Sequence, residues 1–169
     1  WAECYLGGIY DLGKGVPQNC AEAVKWYRKA ALKGNTQAQT NLGVMCLEGR
    51  GMRRNAAGAA KLFLKAAEQG EPAACVNLGI LYGSGKGVRQ DLAEAMKWYQ
   101  KAAEKGHAGA EYLLGSHYYG GFGVPRDVEK AWEWYRKAAD KGVAEAEYTL
   151  GFMYMNGEVR GDESEAAEL

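Results

Sequence analysis

The sequence predicts an all-α solenoid built from stacked helical hairpins. Three observations lead there. The dipeptide Leu-Gly recurs as Leu6-Gly7, Leu42-Gly43, Leu78-Gly79, Leu114-Gly115 and Leu150-Gly151, always 36 residues apart. Apolar residues within each repeat fall at helical spacing. Glycines and capping residues punctuate every copy at the same places. A fixed period of this length is the signature of a repeat architecture, in which a lone hairpin cannot bury its apolar face but stacked hairpins can. The chain reads as one array with repeats at 1–34, 35–70, 71–106, 107–142 and 143–169, the last incomplete.

The first helix of each repeat is predicted from residues such as Ala74, Leu78 and Tyr82, at i, i+4 and i+8 on one helical face within about 73–83. A Gly-x-Gly loop follows, at Gly13/Gly15, Gly49/Gly51, Gly85/Gly87 and Gly121/Gly123. Paired glycines allow positive φ and a sharp reversal. Asn19, Asn55, Asp91 and Asp127 then stand where a helix N-cap is wanted, and Glu22 and Glu94 three residues on suggest capping boxes. The second helix carries Trp26-Tyr27, Leu62-Phe63, Trp98-Tyr99 or Trp134-Tyr135, then Lys-Ala-Ala. It ends near Lys33, Gln69, Lys105 or Lys141, before a closing glycine that suits a C-cap. The fifth repeat has Gly157 but no second loop glycine. It runs Glu158-Val159-Arg160-Gly161-Asp162, best aligned with a one-residue deletion, and stops before the Trp-Tyr position. The first repeat starts inside its first helix, so the chain reads as an excised piece of a longer array.

Composition narrows the function classes. Apolar residues make up 47% of the chain and charged residues 25%, as in a folded globular protein. Twenty-one basic residues balance 21 acidic ones, leaving no electrostatic footprint for nucleic acid. No apolar run approaches the roughly 20 residues that span a bilayer. Cys4, Cys20, Cys46 and Cys75 form no Cys-x-x-Cys pair, so neither a zinc knuckle nor a redox motif is indicated.

These motifs resemble the Sel-1-like repeat family, a branch of the tetratricopeptide-like solenoids. The third repeat carries its pattern in Leu78-Gly79, Tyr82, Gly85, Gly87-Val88, Asp91, Ala95, Trp98-Tyr99, Lys101-Ala102-Ala103 and Gly106. The fourth matches as well. The second departs most, with Cys46, Met52 and Leu62-Phe63 at pattern positions. The resemblance implies a right-handed superhelix whose first helices line the concave side, and a scaffold or adaptor role in assembling proteins. One cysteine-rich branch of the family is linked to penicillin binding and β-lactamase activity. Its bridging cysteines fall near the end of the second helix, where this chain has Ala31, Ala67, Ala103 and Ala139, and near the start of the next first helix, where only Cys4 and Cys75 lie, so that activity is not carried over.

Chemistry-bearing motifs are scarce. Gly83-Ser84-Gly85-Lys86-Gly87 resembles part of a phosphate-binding loop, but Ile80 and Gly87 stand where a glycine and a Ser or Thr are needed. Cys46 and His117 lie two repeats apart, too far to act as nucleophile and base. Glu111 and Glu147 read as solvated positions of adjacent repeats. Arg50-Gly51-Met52-Arg53-Arg54 is the one basic cluster, read as an exposed loop. The expectation is therefore no enzyme, with no catalytic, cofactor-binding or metal-binding residue.

A partner surface is expected on the first helices, where positions 1, 4, 5, 8 and 12 of the repeat face away from the core. These positions vary among copies while packing positions barely change. The candidate residues are Tyr5, Asn41, Val44, Asn77, Ile80, Tyr112, Leu113, Ser116, Tyr148 and Phe152. Asn41 and Asn77 would clamp the backbone of an extended peptide, and Tyr112, Tyr148 and Phe152 would serve as apolar anchors. The expected partner is a protein or peptide, without nucleic acid or membrane insertion. The alternatives are an exported cell-wall-binding or β-lactamase-like hydrolase, and a structural segment of a longer repeat protein.

Overall fold

The structure is a computed structural model that describes residues 1–159. The Arg160-Gly161-Asp162 end of the fifth repeat lies outside the described residues. Nine helices follow one another among those residues: α1 Ala2–Leu12, α2 Cys20–Leu32, α3 Thr36–Glu48, α4 Ala56–Glu68, α5 Pro72–Ser84, α6 Leu92–Ala103, α7 Ala108–Gly120, α8 Val128–Ala139 and α9 Ala144–Met155. They fall into two compact units, one of residues Trp1–Gln90 with α1 to α5, the other from Asp91 onward with α6 to α9.

Sequence signals set the helix ends. The side chains of Asn19, Asn55, Asp91 and Asp127 accept from the backbone N–H three residues on, at the starts of α2, α4, α6 and α8. The expected reciprocal half of the capping box is not made. The N–H groups of Asn19, Asn55 and Asp127 donate instead to the carbonyls of Tyr10, Cys46 and Tyr118, tying the second helix to the first. The Glu22 and Glu94 carboxylates are taken by Lys25 and Lys97, at 2.6 and 2.8 Å. Two caps carried no sequence expectation: Asn35 accepts from Ala38 N–H, and His107 Nδ1 accepts from Ala110 N–H.

Inside each unit the core repeats itself. In the first, Ala23, Tyr27, Ala30, Ala38, Leu42 and Met45 are buried together; in the second, Ala131, Tyr135, Ala138, Ala146, Leu150 and Met153 stand at the same repeat positions. The first-helix contribution to these two clusters is therefore positions 2, 6 and 9; at the expected position 10, Cys46 is buried and Tyr10 and Tyr118 pack against the clusters from their edge. Met45 and Met153 are fully buried, whereas Tyr10, Tyr82 and Tyr118 are only half-buried. At about 100° per residue, i+7 returns to the face of i more closely than i+8 does.

In three of the Leu-Gly pairs the glycine is required by a ring from the second helix. A Cβ on Gly7, Gly43 or Gly115 would stand 2.5, 2.5 and 2.7 Å from the ring of Tyr27, Phe63 or Tyr135. Glycine is an unfavourable residue inside a helix. It is retained here because the ring lies flat on the helix backbone and fills the interior.

A polar clasp joins the two helices of a hairpin on the outer side. Lys33 pairs with Glu3 at 2.8 Å and Lys141 with Glu111 at 2.6 Å. At the same two repeat positions Gln69 donates to Gln39 Oε1 at 3.1 Å. In these three copies the partners match, charge with charge and amide with amide; the third repeat has Cys75 and Lys105 at the two positions. Glu111 is 4% exposed, and its Oε2 has no hydrogen-bond partner among the described residues. We expect Lys141→Met to destabilise by about 1–2 kcal/mol, because it strands a buried carboxylate. The double change Glu111→Gln/Lys141→Gln, copying the amide clasp, should unfold in urea close to wild type. A double variant as weak as the single one would refute the clasp.

Candidate partner-binding face

The candidate residues all lie on first helices. In the first unit Tyr5 projects from α1 and is 74% exposed, and Ile80 on α5 is also exposed. Asn41 and Val44 of α3 and Asn77 of α5 are half-buried. In the second unit Tyr148 and Phe152, one turn apart on α9, are 76% and 43% exposed. Tyr112, Leu113 and Ser116 of α7 are half-buried.

The surface is narrower than the helical wheel suggests. Position 4 lies at its edge: Thr40 is buried, with Oγ1 donating to the Thr36 carbonyl at 2.9 Å. Tyr112, at the equivalent position, packs on the Tyr135 ring with centroids 5.5 Å apart. The Tyr135 hydroxyl donates to Ser116 Oγ at 3.2 Å, and Ser116 donates to the Tyr112 carbonyl. Burial pushes the Tyr135 hydroxyl above its ordinary pKa, partly offset by that bond to Ser116. Tyr112 and Ser116 therefore take part in holding α8 to α7.

The two asparagine amides are engaged locally. Asn77 Nδ2 donates to the Ala73 carbonyl at 3.0 Å. Asn41 Oδ1 accepts from Gln37 at 3.0 Å. An incoming peptide would meet amides with part of their capacity already in use. The exposed apolar side chains carry no such prior commitment.

One exposed aromatic escaped the sequence reading. Phe122 is 55% exposed in the loop after α7, at a position held by Lys14, Arg50, Lys86 and Glu158 in other copies. Its ring lies over Gly120, where a Cβ would stand 2.1 Å away, and its centroid is 6.0 Å from that of His117. The signal was present in the copies, as an aromatic replacing charged residues with a glycine two residues before it. His117 Nδ1 lies 2.8 Å from the Phe122 carbonyl, and its ring meets Tyr99 edge-on at 5.3 Å. Burial pushes the Tyr99 hydroxyl up to about 12.

The other motifs resolve locally. The Cys46 thiol donates to the Asn55 carbonyl. No disulfide joins the four cysteines. Among the described residues no group of three or more His, Cys, Asp or Glu side chains is placed to hold a metal ion, and no helix is long and apolar enough to cross a membrane. The basic cluster divides. Arg50 is bound by Glu48 at 2.6 Å and Asp11 at 2.5 Å, which hold its guanidinium more firmly protonated. Arg53 and Arg54 remain exposed, without an acidic partner among the described residues.

The Sel1 repeat model matches five successive segments, residues 2–35, 36–71, 72–107, 108–143 and 144–169. The chain belongs to the Sel1 repeat family. Solved Sel1-type structures agree. A protective antigen of uropathogenic Escherichia coli displaying an SLR fold is 43% identical, with a TM-score of 0.90 over 99% of this chain and 38% of that one. A Sel1 repeat protein from Oxalobacter formigenes is 41% identical, with a TM-score of 0.92 over 97% of this chain and 67% of that one. An immunity protein from Pseudomonas aeruginosa is 27% identical, with a TM-score of 0.65 over 89% of this chain and 55% of that one. This Sel1 chain thus spans well under half the length of the E. coli antigen. No curated protein matches the sequence. The family membership accounts for the helical-hairpin fold and for the residues that pack it.

Proposed function

We propose that this Sel1 repeat chain is a protein-interaction scaffold that binds a peptide or protein segment on its first helices and performs no reaction itself. The observation that carries the reading is the exposure of Tyr5, Ile80, Tyr148 and Phe152 at positions 5, 4 and 8 of the repeat. Tyr5 and Tyr148 stand about three-quarters exposed although neither packing nor capping calls for an aromatic there. Large, rigid, amphipathic side chains of this kind dominate the energetics of protein interfaces. The similarity to a structure named as an immunity protein supports a protein as the class of partner.

The test is capture from lysate and envelope fractions, followed by affinity measurement with the purified partner. We expect Tyr148→Glu/Phe152→Glu, or Tyr5→Glu/Ile80→Glu, to weaken binding at least tenfold, about 1.4 kcal/mol. Both variants should keep the wild-type circular-dichroism spectrum, because the side chains changed are exposed. Equal affinity of both variants and wild type would move the site off these helices.

A further inference from the structure

Among the departures of the second repeat, the one at position 26 borders a cleft. Position 26 is Trp26, Trp98 and Trp134 elsewhere, and each indole lies under a lysine three residues on. Lys29, Lys101 and Lys137 Nζ stand 4.4, 4.0 and 4.1 Å from the respective ring centroids. In the second repeat the residue is Leu62, so Lys65 has no ring beneath it. Leu62 instead lines a cleft of about 350 Å³ between α2 and α4, with Leu32, Leu42 and Ala31 as apolar neighbours and Arg28 and Lys65 at the rim. A larger side chain at position 62 would project into this space.

A second departure meets the first. Position 32 is Glu68, Glu104 or Asp140 in the other copies and Leu32 here, 89% exposed. Thus the cleft gains an apolar wall where the repeat elsewhere places a carboxylate. Arg28 also borders an adjoining cleft of about 500 Å³, lined by Met52, Arg53 and Arg54. Arg28, Arg53, Arg54 and Lys65 have no acidic partner among the described residues, although the chain as a whole is neutral. Exposed cations left unpaired around an apolar floor favour an occupant with carboxylates flanking an apolar side chain.

We infer that the α2–α4 groove, on second helices of the hairpins, is a second docking site for an acidic peptide segment that inserts one aromatic or large aliphatic side chain. The inserted side chain lies against Leu32 and Leu62, and acidic residues on either side pair with Lys65 and with Arg28, Arg53 and Arg54. This site does not depend on the first-helix reading.

The test uses the whole chain and a fluorescein-labelled random copolymer of glutamate and tyrosine, followed by fluorescence anisotropy. Poly-glutamate, which lacks anchors, and a lysine–tyrosine copolymer, which lacks acids, are the comparison probes. We expect the glutamate–tyrosine copolymer to bind best and to weaken as salt rises. Leu62→Trp restores the residue of the other copies, so it should fold at least as stably as wild type while binding at least tenfold less. Arg28→Glu/Lys65→Glu should lose binding, and Tyr148→Glu/Phe152→Glu should retain it. Absence of binding by wild type, or Leu62→Trp binding as wild type does, would overturn the proposal. So would loss of binding in the first-helix variant alone, which would place the probe on the other face.

Discussion

Replacing Trp98 by alanine is expected to cost about 3–5 kcal/mol of stability and to lower the melting temperature by about 6–20 °C. Trp98 is 6% exposed and is the largest side chain in the buried core, and Lys101 covers its outer face at 4.0 Å. The indole N–H has no hydrogen-bond partner among the described residues. The ring therefore stabilises by packing and by its cation, while its N–H carries a desolvation cost that alanine would remove. This places the loss toward the lower figure. Trp98→Leu should lose less, because the second repeat already works with Leu62 at that position. Lys101→Met should lose least, about 0.5–1 kcal/mol, as expected of one cation over an aromatic face. A thermal melt of Trp98→Ala that superimposes on wild type would show that the indole is not packed as described.

Gly51→Ala is expected to be the other severe change, at about 2–5 kcal/mol in total. Two effects add. Gly51 has φ +67°, a left-handed conformation that costs an L-residue about 1–2 kcal/mol. A Cβ there would also stand 2.3 Å from the carbonyl oxygen of Cys20, at the start of the second helix of the preceding repeat. Backbone cannot yield as a side-chain tip can, so the two repeats must separate, at about 1–3 kcal/mol more. Gly15 supplies the control. It occupies the same repeat position at φ +77°, with nothing within 4 Å of its Cβ direction. Gly15→Ala should show the conformational cost alone. Equal losses for the two substitutions in urea unfolding would mean that the second loop glycine serves the turn and not the stacking of repeats.

That comparison shows where sequence reasoning stopped. The Gly-x-Gly loops were legible as turns, and both glycines do adopt positive φ in the four copies that have the pair. The contact of Gly51 with Cys20, or of Gly87 with Ala56, was not legible, because it joins residues of successive repeats through backbone atoms that leave no mark on side-chain identity. The Glu3–Lys33, Gln39–Gln69 and Glu111–Lys141 clasps lay between. Matched partners are visible when these three copies are compared, though Cys75 and Lys105 in the third break the match, and only the helices' proximity shows that the two positions touch. On the candidate face, exposure of Tyr5, Tyr148 and Phe152 followed from helical periodicity. The inward commitments of Asn41, Asn77 and Ser116 did not, since an amide or hydroxyl is equally suited to solvent, to a neighbouring carbonyl or to a ligand.

The amino-acid sequence by itself determined the period, the hairpin order, the caps at Asn19, Asn55, Asp91 and Asp127, and the glycine-ended first helices. These are local choices, made by each residue's own backbone freedom and by side chains reaching no farther than three or four positions. Tertiary structure alone decided that Met45 and Met153 at position 9 complete the two core clusters, that Gly7, Gly43 and Gly115 seat an aromatic ring, and that Leu32 and Leu62 meet beside cations without an acidic partner among the described residues. Each of these depends on how closely one helix approaches another. Interatomic packing sets that distance, and no periodicity along a single chain reports it.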